Sequence, residues 1–410
     1  MQKRILFPVS FCLLLLLVLT SCGFHTSTTT ISSNGQSQPH QIVLANCQQR
    51  PPSPSVTSSP PSVASHVIYL GSVGGLYAIS ASTGAILWCR QLKITGTFAC
   101  PYSCPGPPFM LFGQPAVAND AVYVCASGYG GGYTYAFRAK NGVLLWRVKS
   151  DCAVVSMPYG DYAIPLVNQG IVYTGSYALW AQDGTILWKT ALGVSFQELI
   201  NGVIFANDED SIYALNASNG KLRWRYSAPD HAVVGGRLVV DGDRVYYGTQ
   251  DSVDGSEKSA LYVLNAANGS LLWKFAMGSY SGATIMNGLV YVSSRDQYLY
   301  ALDAATGAIR WRIRSVYPVY STAVGTKGML YINMDGVYAL NAATGSVTWH
   351  QTLGAHQSDV YTPSTIVEDV VYLASTDGHG NSIVCALNAH DGTVYWQSGV
   401  LNQVTPLTVV

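Results

Sequence analysis

The sequence predicts an all-β fold made of eight copies of one four-stranded unit, and three observations predict it. First, a twelve-residue phrase recurs eight times. "YALDAATGAIRW" at 300–311 and "YALNAATGSVTW" at 338–349 nearly coincide, and "YALNASNGKLRW", "YVLNAANGSLLW", "YAISASTGAILW", "YAFRAKNGVLLW", "YALWAQDGTILW" and "CALNAHDGTVYW" vary the theme. Second, the closing tryptophans, Trp88, Trp146, Trp188, Trp224, Trp273, Trp311, Trp349 and Trp396, stand about 44 residues apart on average, the period of a four-stranded propeller blade rather than of a leucine-rich repeat. Third, no stretch between 67 and 410 sustains a 3.6-residue apolar period. An eight-bladed β-propeller of four-stranded antiparallel blades meets all three.

The elements follow in chain order. Residues 1–21 read as a lipoprotein signal peptide: Lys3 and Arg4 precede an apolar run over 5–19, too short to span a bilayer comfortably, and "LTSC" at 19–22 ends it. "LTSC" resembles the bacterial lipobox, which makes Cys22 the expected lipidation site and new N-terminus. Residues 22–66 are rich in Ser, Thr, Pro and Gln and read as a disordered tether, because such a segment buries too little apolar surface to offset its ordering entropy. Within it, "IVLANC" at 42–47 is apolar enough to lie on the body as an extra strand. Residues 67–410 are the propeller.

Every unit has an apolar segment ahead of the phrase, and most have a second before it. The nearer ones are "VIYLG", "AVYVC", "IVYTG", "VIFAN", "RVYYG", "LVYVS", "LYIN" and "VVYLA"; turns rich in Gly, Asn and Asp separate them from an earlier segment such as "IPLVNQG" or "GATIMNG". Naming the strands A to D outward from the axis, the phrase supplies strands C and D. The first unit has only a weak strand A, whereas "VTPLTVV" at 404–410 resembles a strand A with no unit after it. The prediction is that Thr405–Val409 pairs beside Val67–Leu70, so that the C-terminal strand closes the ring and removes its edges.

"ALDAATGAIRW" resembles the tryptophan-docking motif of the quinoprotein-type β-propellers, and the resemblance covers 67–410. It implies that each tryptophan stacks over the glycine turn of the next blade. A buried Trp removes about 150–250 Å² from water, worth on the order of 4–6 kcal/mol as an upper bound. The overall plan resembles that of the outer-membrane barrel-assembly scaffold lipoproteins: lipobox, tether, eight blades, no cofactor. The cysteine-rich loops and the long tether depart from that plan.

The uniform C–D turns lie on one face, and every long insertion falls on the other, where the D–A and B–C links run. These are 91–113, 126–133, 148–161 and 249–260, together with 375–382. Loops on a rigid scaffold carry binding, so this is the predicted face for a protein or glycan partner. Tyr102, Phe109, Phe112, Tyr129 and Tyr133 are the candidate contacts. "PGPPFMLF" at 105–112 reads as a docking patch if exposed and as a plug if folded over the channel. Cys89, Cys100, Cys104, Cys125 and Cys152 gather on the same side and are structural disulfide candidates in an exported chain, with a zinc site as the other reading.

Enzyme signatures are sparse. The resemblance implies, as the alternative function, a quinone-dependent sugar or alcohol oxidoreductase holding pyrroloquinoline quinone with Ca²⁺. The chain has no adjacent Cys-Cys pair, and "DSVDGSE" at 251–257 lacks EF-hand spacing. None of the eight histidines belongs to H-E-x-x-H, and no G-x-S-x-G elbow occurs. No catalytic, cofactor-binding or metal residue is therefore assigned. Residues 1–21 take two basic residues and no acidic ones from a chain with 22 of each, so the remainder is slightly acidic. It has no basic stripe, which argues against nucleic acid. The reading favoured is a lipid-anchored, extracytoplasmic binding scaffold of the bacterial cell envelope, with a monomeric body and no catalysis.

Overall fold

The computed structural model describes residues 41–45, 66–72, 75–95, 111–128, 131–152, 164–228, 233–250, 259–278, 280–319, 321–352, 360–361, 365–376, 381–398, 401–402 and 407–410. The expected signal peptide, Cys22, Cys100, Cys104, Tyr102, Phe109 and Tyr129 lie outside them. His40–Val410 forms one compact unit. Its strands make eight antiparallel sheets, five of four strands, two of five and one of six.

The blades follow the sequence units. In blade 6, Tyr280–Met286, Leu289–Ser294, Tyr298–Asp303 and Ile309–Arg314 pair in order as strands A to D. The pleat explains why the phrase is written as it is. Leu299, Ala301, Val290 and Val292 are buried between blades, while Ile309 on the outer strand stands exposed. Strands B and C therefore carry the core, and the outermost strand is half in water. The A–B hairpins turn through left-handed pairs such as Asn201–Gly202 (φ 50° and 74°) and Asn287–Gly288 (φ 53° and 73°), the geometry that matches strand twist and that Asn-Gly adopts most readily.

All eight closing tryptophans pack across a blade boundary. Each indole Nε1 donates to an alanine carbonyl of the next blade at 2.8–3.1 Å, from Trp88 to Ala139 through Trp349 to Ala389, and Trp396 returns to Ala81 of blade 1. The ring lies over the turn glycine so closely that a Cβ there would come within 2.8 Å of the ring carbon Cε3 in every case. Those glycines also have φ between 64° and 76°, so shape and backbone both demand glycine. A second residue shares several of the clamps. Tyr69, Tyr291 and Tyr331 on strand B donate their hydroxyls to the same alanine carbonyls at 3.2, 3.0 and 3.1 Å, and their rings lie 5.9, 5.8 and 6.0 Å from the partner indoles.

The expected closure by the C-terminal strand is corrected. No sheet is closed. Thr408–Val409 forms a two-residue strand against Ile68 and Tyr69, at one edge of an open five-stranded sheet. A sheet loses its edges only when its last strand hydrogen-bonds to its own first strand. Here each blade is a separate sheet meeting its neighbours through side chains, so every blade keeps two edges. The last blade is brought against the first by Trp396, whose ring covers Gly84.

Blade 1 differs at its outer edge as well. Gln41–Ala45, inside the segment read as a tether, forms a fifth strand with register running from Gln41↔Thr95 to Ala45↔Gln91. Without that partner the outer edge of Ile86–Thr95 would be an open row of backbone groups, and an apolar extended run is what such an edge accepts.

Candidate binding face

The side of the molecule opposite the uniform turns is built in two ways. Blades 4, 6 and 7 have short B–C turns, each fastened by an aspartate. Asp208 accepts from the backbone N–H of Asp210 and Ser211 at 3.1 and 2.8 Å, and the Tyr213 hydroxyl donates to its other oxygen at 2.5 Å. Tyr300 donates to Asp296 at 2.9 Å and Tyr338 to Asp335 at 2.8 Å. Burial, then the facing carboxylate, pushes Tyr300 and Tyr338 up to about 12, so both remain hydrogen-bond donors. Cations lie over neighbouring rings: Arg225 over Tyr213 at 5.4 Å and Arg312 over Tyr298 at 4.8 Å. Sequence reading missed these aspartates, and their spacing explains why: the tyrosine follows the aspartate by five, four and three residues in "NDEDSIY", "SRDQYLY" and "NMDGVY", so no fixed interval marks them.

Blade 2 is built differently. The stretch 126–133, expected to be a loop, is mostly strand. Ala121–Gly128 pairs with Gly131–Arg138 out to Gly128↔Gly131, leaving a two-residue connection. The glycines that argue for a loop are needed for close approach: a Cβ on Gly132 would run into the carbonyl oxygen of Cys152. Tyr133 is half-buried, its ring 6.2 Å from that of Tyr135, which itself stacks on Phe137 at 5.9 Å. Phe112 belongs to a two-residue strand paired with Ala126. Of the five contact candidates, the structure thus brings Tyr133 and the backbone of Phe112 to the same hairpin, and the other three lie outside the described residues. The stretches 96–110, 153–163 and 251–258, which hold most of the expected binding loops, also lie outside them.

The cysteines separate into two kinds. Cys89 is buried and disulfide-bonded. Cys125 and Cys152, read from the sequence as disulfide candidates, are free thiols here, as is Cys385. Burial pushes the Cys385 thiol up to about 12, which keeps it inert.

Among the described residues, none form a site that fits a quinone with calcium. Among the described residues no three His, Cys, Asp or Glu side chains converge on a point that could hold a metal ion. Asp208, Asp296 and Asp335 are engaged separately, blade by blade, each with its own tyrosine.

The chain resembles known proteins in both sequence and fold. A family model described as outer membrane protein assembly factor BamB matches residues 33–158, 135–274 and 257–403. Proteins of that name from Legionella pneumophila (strain Paris) and Yersinia pestis are 26% and 29% identical, over 33% and 41% of this chain and 38% and 43% of their own. The chain thus aligns with less than half the length of these curated relatives. Among solved structures, BamB from Moraxella catarrhalis superposes with a TM-score of 0.55 at 19% identity, covering 72% of this chain and 90% of that one. A quinohemoprotein alcohol dehydrogenase from Comamonas testosteroni superposes equally well, at 0.55 and 12% identity, over 72% and 68%. At such identities superposition speaks to the fold alone. The sequence match discriminates, and it runs through nearly every blade to a family named for assembly rather than for a reaction. This chain belongs to the outer membrane protein assembly factor BamB family.

Proposed function

We propose that this protein is an extracytoplasmic binding scaffold, anchored to the membrane through a lipid on Cys22, that holds a protein partner on its D–A and B–C loop face and catalyses no reaction. The observation that carries the proposal is the family match over residues 33–403, whose relatives are named for outer-membrane protein assembly. The division of the body supports it: the C–D turns repeat one geometry under eight tryptophans, whereas the opposite side varies from blade to blade. Surfaces that vary on a constant frame are where recognition is built. Tyr102, Phe109, Phe112, Tyr129 and Tyr133 are the contacts we assign, since rigid aromatic side chains lose little entropy on binding.

The test is photo-crosslinking in intact envelopes. A photoreactive residue replacing Tyr133 on the loop face is compared with one replacing Thr344 on the turn face. Adducts to a discrete envelope protein from position 133 and none from 344 are expected. Adducts from 344 alone, or from neither, overturn the assignment of the face. Cys22→Ala is expected to move the protein from the membrane to the soluble fraction, and continued membrane retention would remove the anchor from the proposal.

A further inference from the structure

Cys125 and Cys152 are 27 residues apart in sequence, yet they share one buried cluster at the boundary of blades 2 and 3. Cys125 lies on strand B of blade 2, directly across from Thr134 on strand C. Its Sγ is 3.0 Å from Thr174 Oγ1 of blade 3, and Thr174 Oγ1 is 3.0 Å from Thr134 Oγ1. Thr134 Oγ1 is in turn 2.9 Å from Ser150 Oγ and 3.8 Å from Cys152 Sγ. Ser150 donates to Cys152 Sγ at 3.1 Å, and the Cys152 thiol donates to the Tyr133 carbonyl at 3.4 Å. The two cysteines are 1% and 2% exposed.

The chain is shaped to deliver Cys152 there. Cys152 lies just past the end of strand D, Leu144–Ser150, where a link to the next blade would ordinarily run over the surface. Instead its backbone is threaded between two glycines. Gly132 leaves room for the Cys152 carbonyl, and Gly175, at φ 52°, leaves room for Asp151 and the Cys152 amide. Asp151 holds the thread from the far side, accepting from the Ser176 N–H at 2.7 Å. Lys189 approaches its other oxygen at 3.9 Å.

We propose that Cys125 and Cys152 are a dithiol that closes to a disulfide, stapling the exit of blade 2's outer strand to its second strand. The co-reactant is a disulfide, of a small thiol or of an oxidising protein. The Cys152 thiolate attacks one of its sulfurs, forming a mixed disulfide and displacing the first thiol. The Cys125 thiolate then attacks Cys152 Sγ and displaces the second. One S–S bond forms in the protein as one breaks in the oxidant, and the two protons leave on the two released thiols. The order follows from the surroundings. Hydrogen bonding, first from Cys125, holds the Cys152 thiol below the usual range against the effect of burial, whereas burial pushes Cys125 well above it. Because both sulfurs are covered, the exchange proceeds only when the 151–152 thread lifts, so it is slow in the folded state.

The test uses the full chain. It is incubated with excess oxidised glutathione, denatured, alkylated with N-ethylmaleimide, digested and mapped by mass. The expected product is a peptide pair joined through Cys125 and Cys152, lost after dithiothreitol. Recovery of both cysteines singly alkylated, or each only as a glutathione adduct, overturns the proposal. Thermal melts give a second readout. Oxidised protein is expected to melt roughly 3–6 °C above reduced protein, as loop closure in the unfolded state requires. The Cys125→Ser/Cys152→Ser variant should lose that increment while keeping whatever the Cys89 disulfide contributes. An equal shift in wild type and variant would also overturn it. Mapping on the wild-type chain decides the matter even if the variant fails to fold.

Discussion

The C–D turn of blade 6 and that of blade 3 have the same backbone and opposite side-chain chemistry. In blade 6, Asp303 Oδ1 accepts from the N–H groups of Ala305 and Thr306, each at 3.0 Å, and from the Thr306 hydroxyl at 2.9 Å. Its Oδ2 accepts from Arg310 at 2.7 Å. In blade 3 the same position is Trp180, 46% exposed and capping nothing. The nearest substitute is Asp183, which takes the Thr185 N–H at 2.9 Å. Yet Gly307 donates to the Asp303 carbonyl and Gly184 to the Trp180 carbonyl at the same 2.8 Å. Their φ angles are 73° and 76°, and a tryptophan of the preceding blade covers each. The glycine and the indole that lies on it therefore define the turn. The side-chain cap is an exchangeable addition.

The strongest way to break this comparison is to remove the wedge in both places. Trp273→Ala, which uncovers Gly307, and Trp146→Ala, which uncovers Gly184, should each destabilise by about 3–5 kcal/mol, the usual range for truncating a large buried aromatic. Chemical denaturation measures both. A loss under about 1 kcal/mol for either would mean that its turn stands without the wedge.

Gly307→Ala and Gly184→Ala come next. Each places a Cβ 2.7–2.8 Å from a ring carbon at a left-handed φ, for an expected cost of about 1–3 kcal/mol. The two losses should match within error, and a blade 3 value near zero would show that the turns are not equivalent.

Asp303→Ala sharpens the contrast through pH. Arg310, then Thr306, holds the Asp303 carboxyl down at about 2 from its ordinary 3.8. A carboxyl depressed by folding stabilises above its unfolded pKa and loses that contribution as pH falls through its folded pKa. Wild type should therefore melt modestly higher than the variant at pH 7, and the difference should shrink between about pH 4 and pH 2. The group is on the surface, so the gap is small and salt-sensitive. A gap that persists unchanged at pH 2 would assign it to packing instead. The smallest effect is the reverse experiment. Trp180→Asn installs the missing cap and should raise stability by a few tenths of a kcal/mol, about what such a cap contributes at a water-exposed site. A clear loss in the same melt would show that Trp180 has a packing role of its own.

What could be read from sequence divides along similar lines. The tryptophan and glycine positions were legible because the same demand is repeated in eight places, so the spacing itself carries the signal. The tyrosine of strand B was visible only as an aromatic in a strand. Its sharing of the alanine carbonyl, as at Tyr291 and Ala342, depends on an approach between blades that no single unit encodes. The role of the C-terminal strand was misjudged, because pairing of Thr405–Val409 beside Val67–Leu70 was equated with removing edges, whereas the strand spans two residues at the edge of an open sheet. Cys125 and Cys152 were read as disulfide candidates and stand as free thiols; the thread past Gly132 and Gly175 that brings them into one cluster is a property of backbone room. The loop-face tyrosines were chosen on composition. At Tyr133 a run of glycines read as a loop proves to be strand.

The tryptophan relay has a direction. Every blade offers a peg on its outer strand and a socket at its turn, and the peg always enters the neighbour that follows in sequence. Two halves made by cutting the chain between blades would each expose one bare indole and one empty glycine socket, on opposite flanks. Such surfaces are complementary head to tail rather than face to face, the kind of contact that yields open filaments unless the rotation happens to return on itself. Intact, the chain satisfies its own last peg through Trp396 and Gly84. A lesion that loosens that one joint would thus convert a self-contained body into a building block for aggregation.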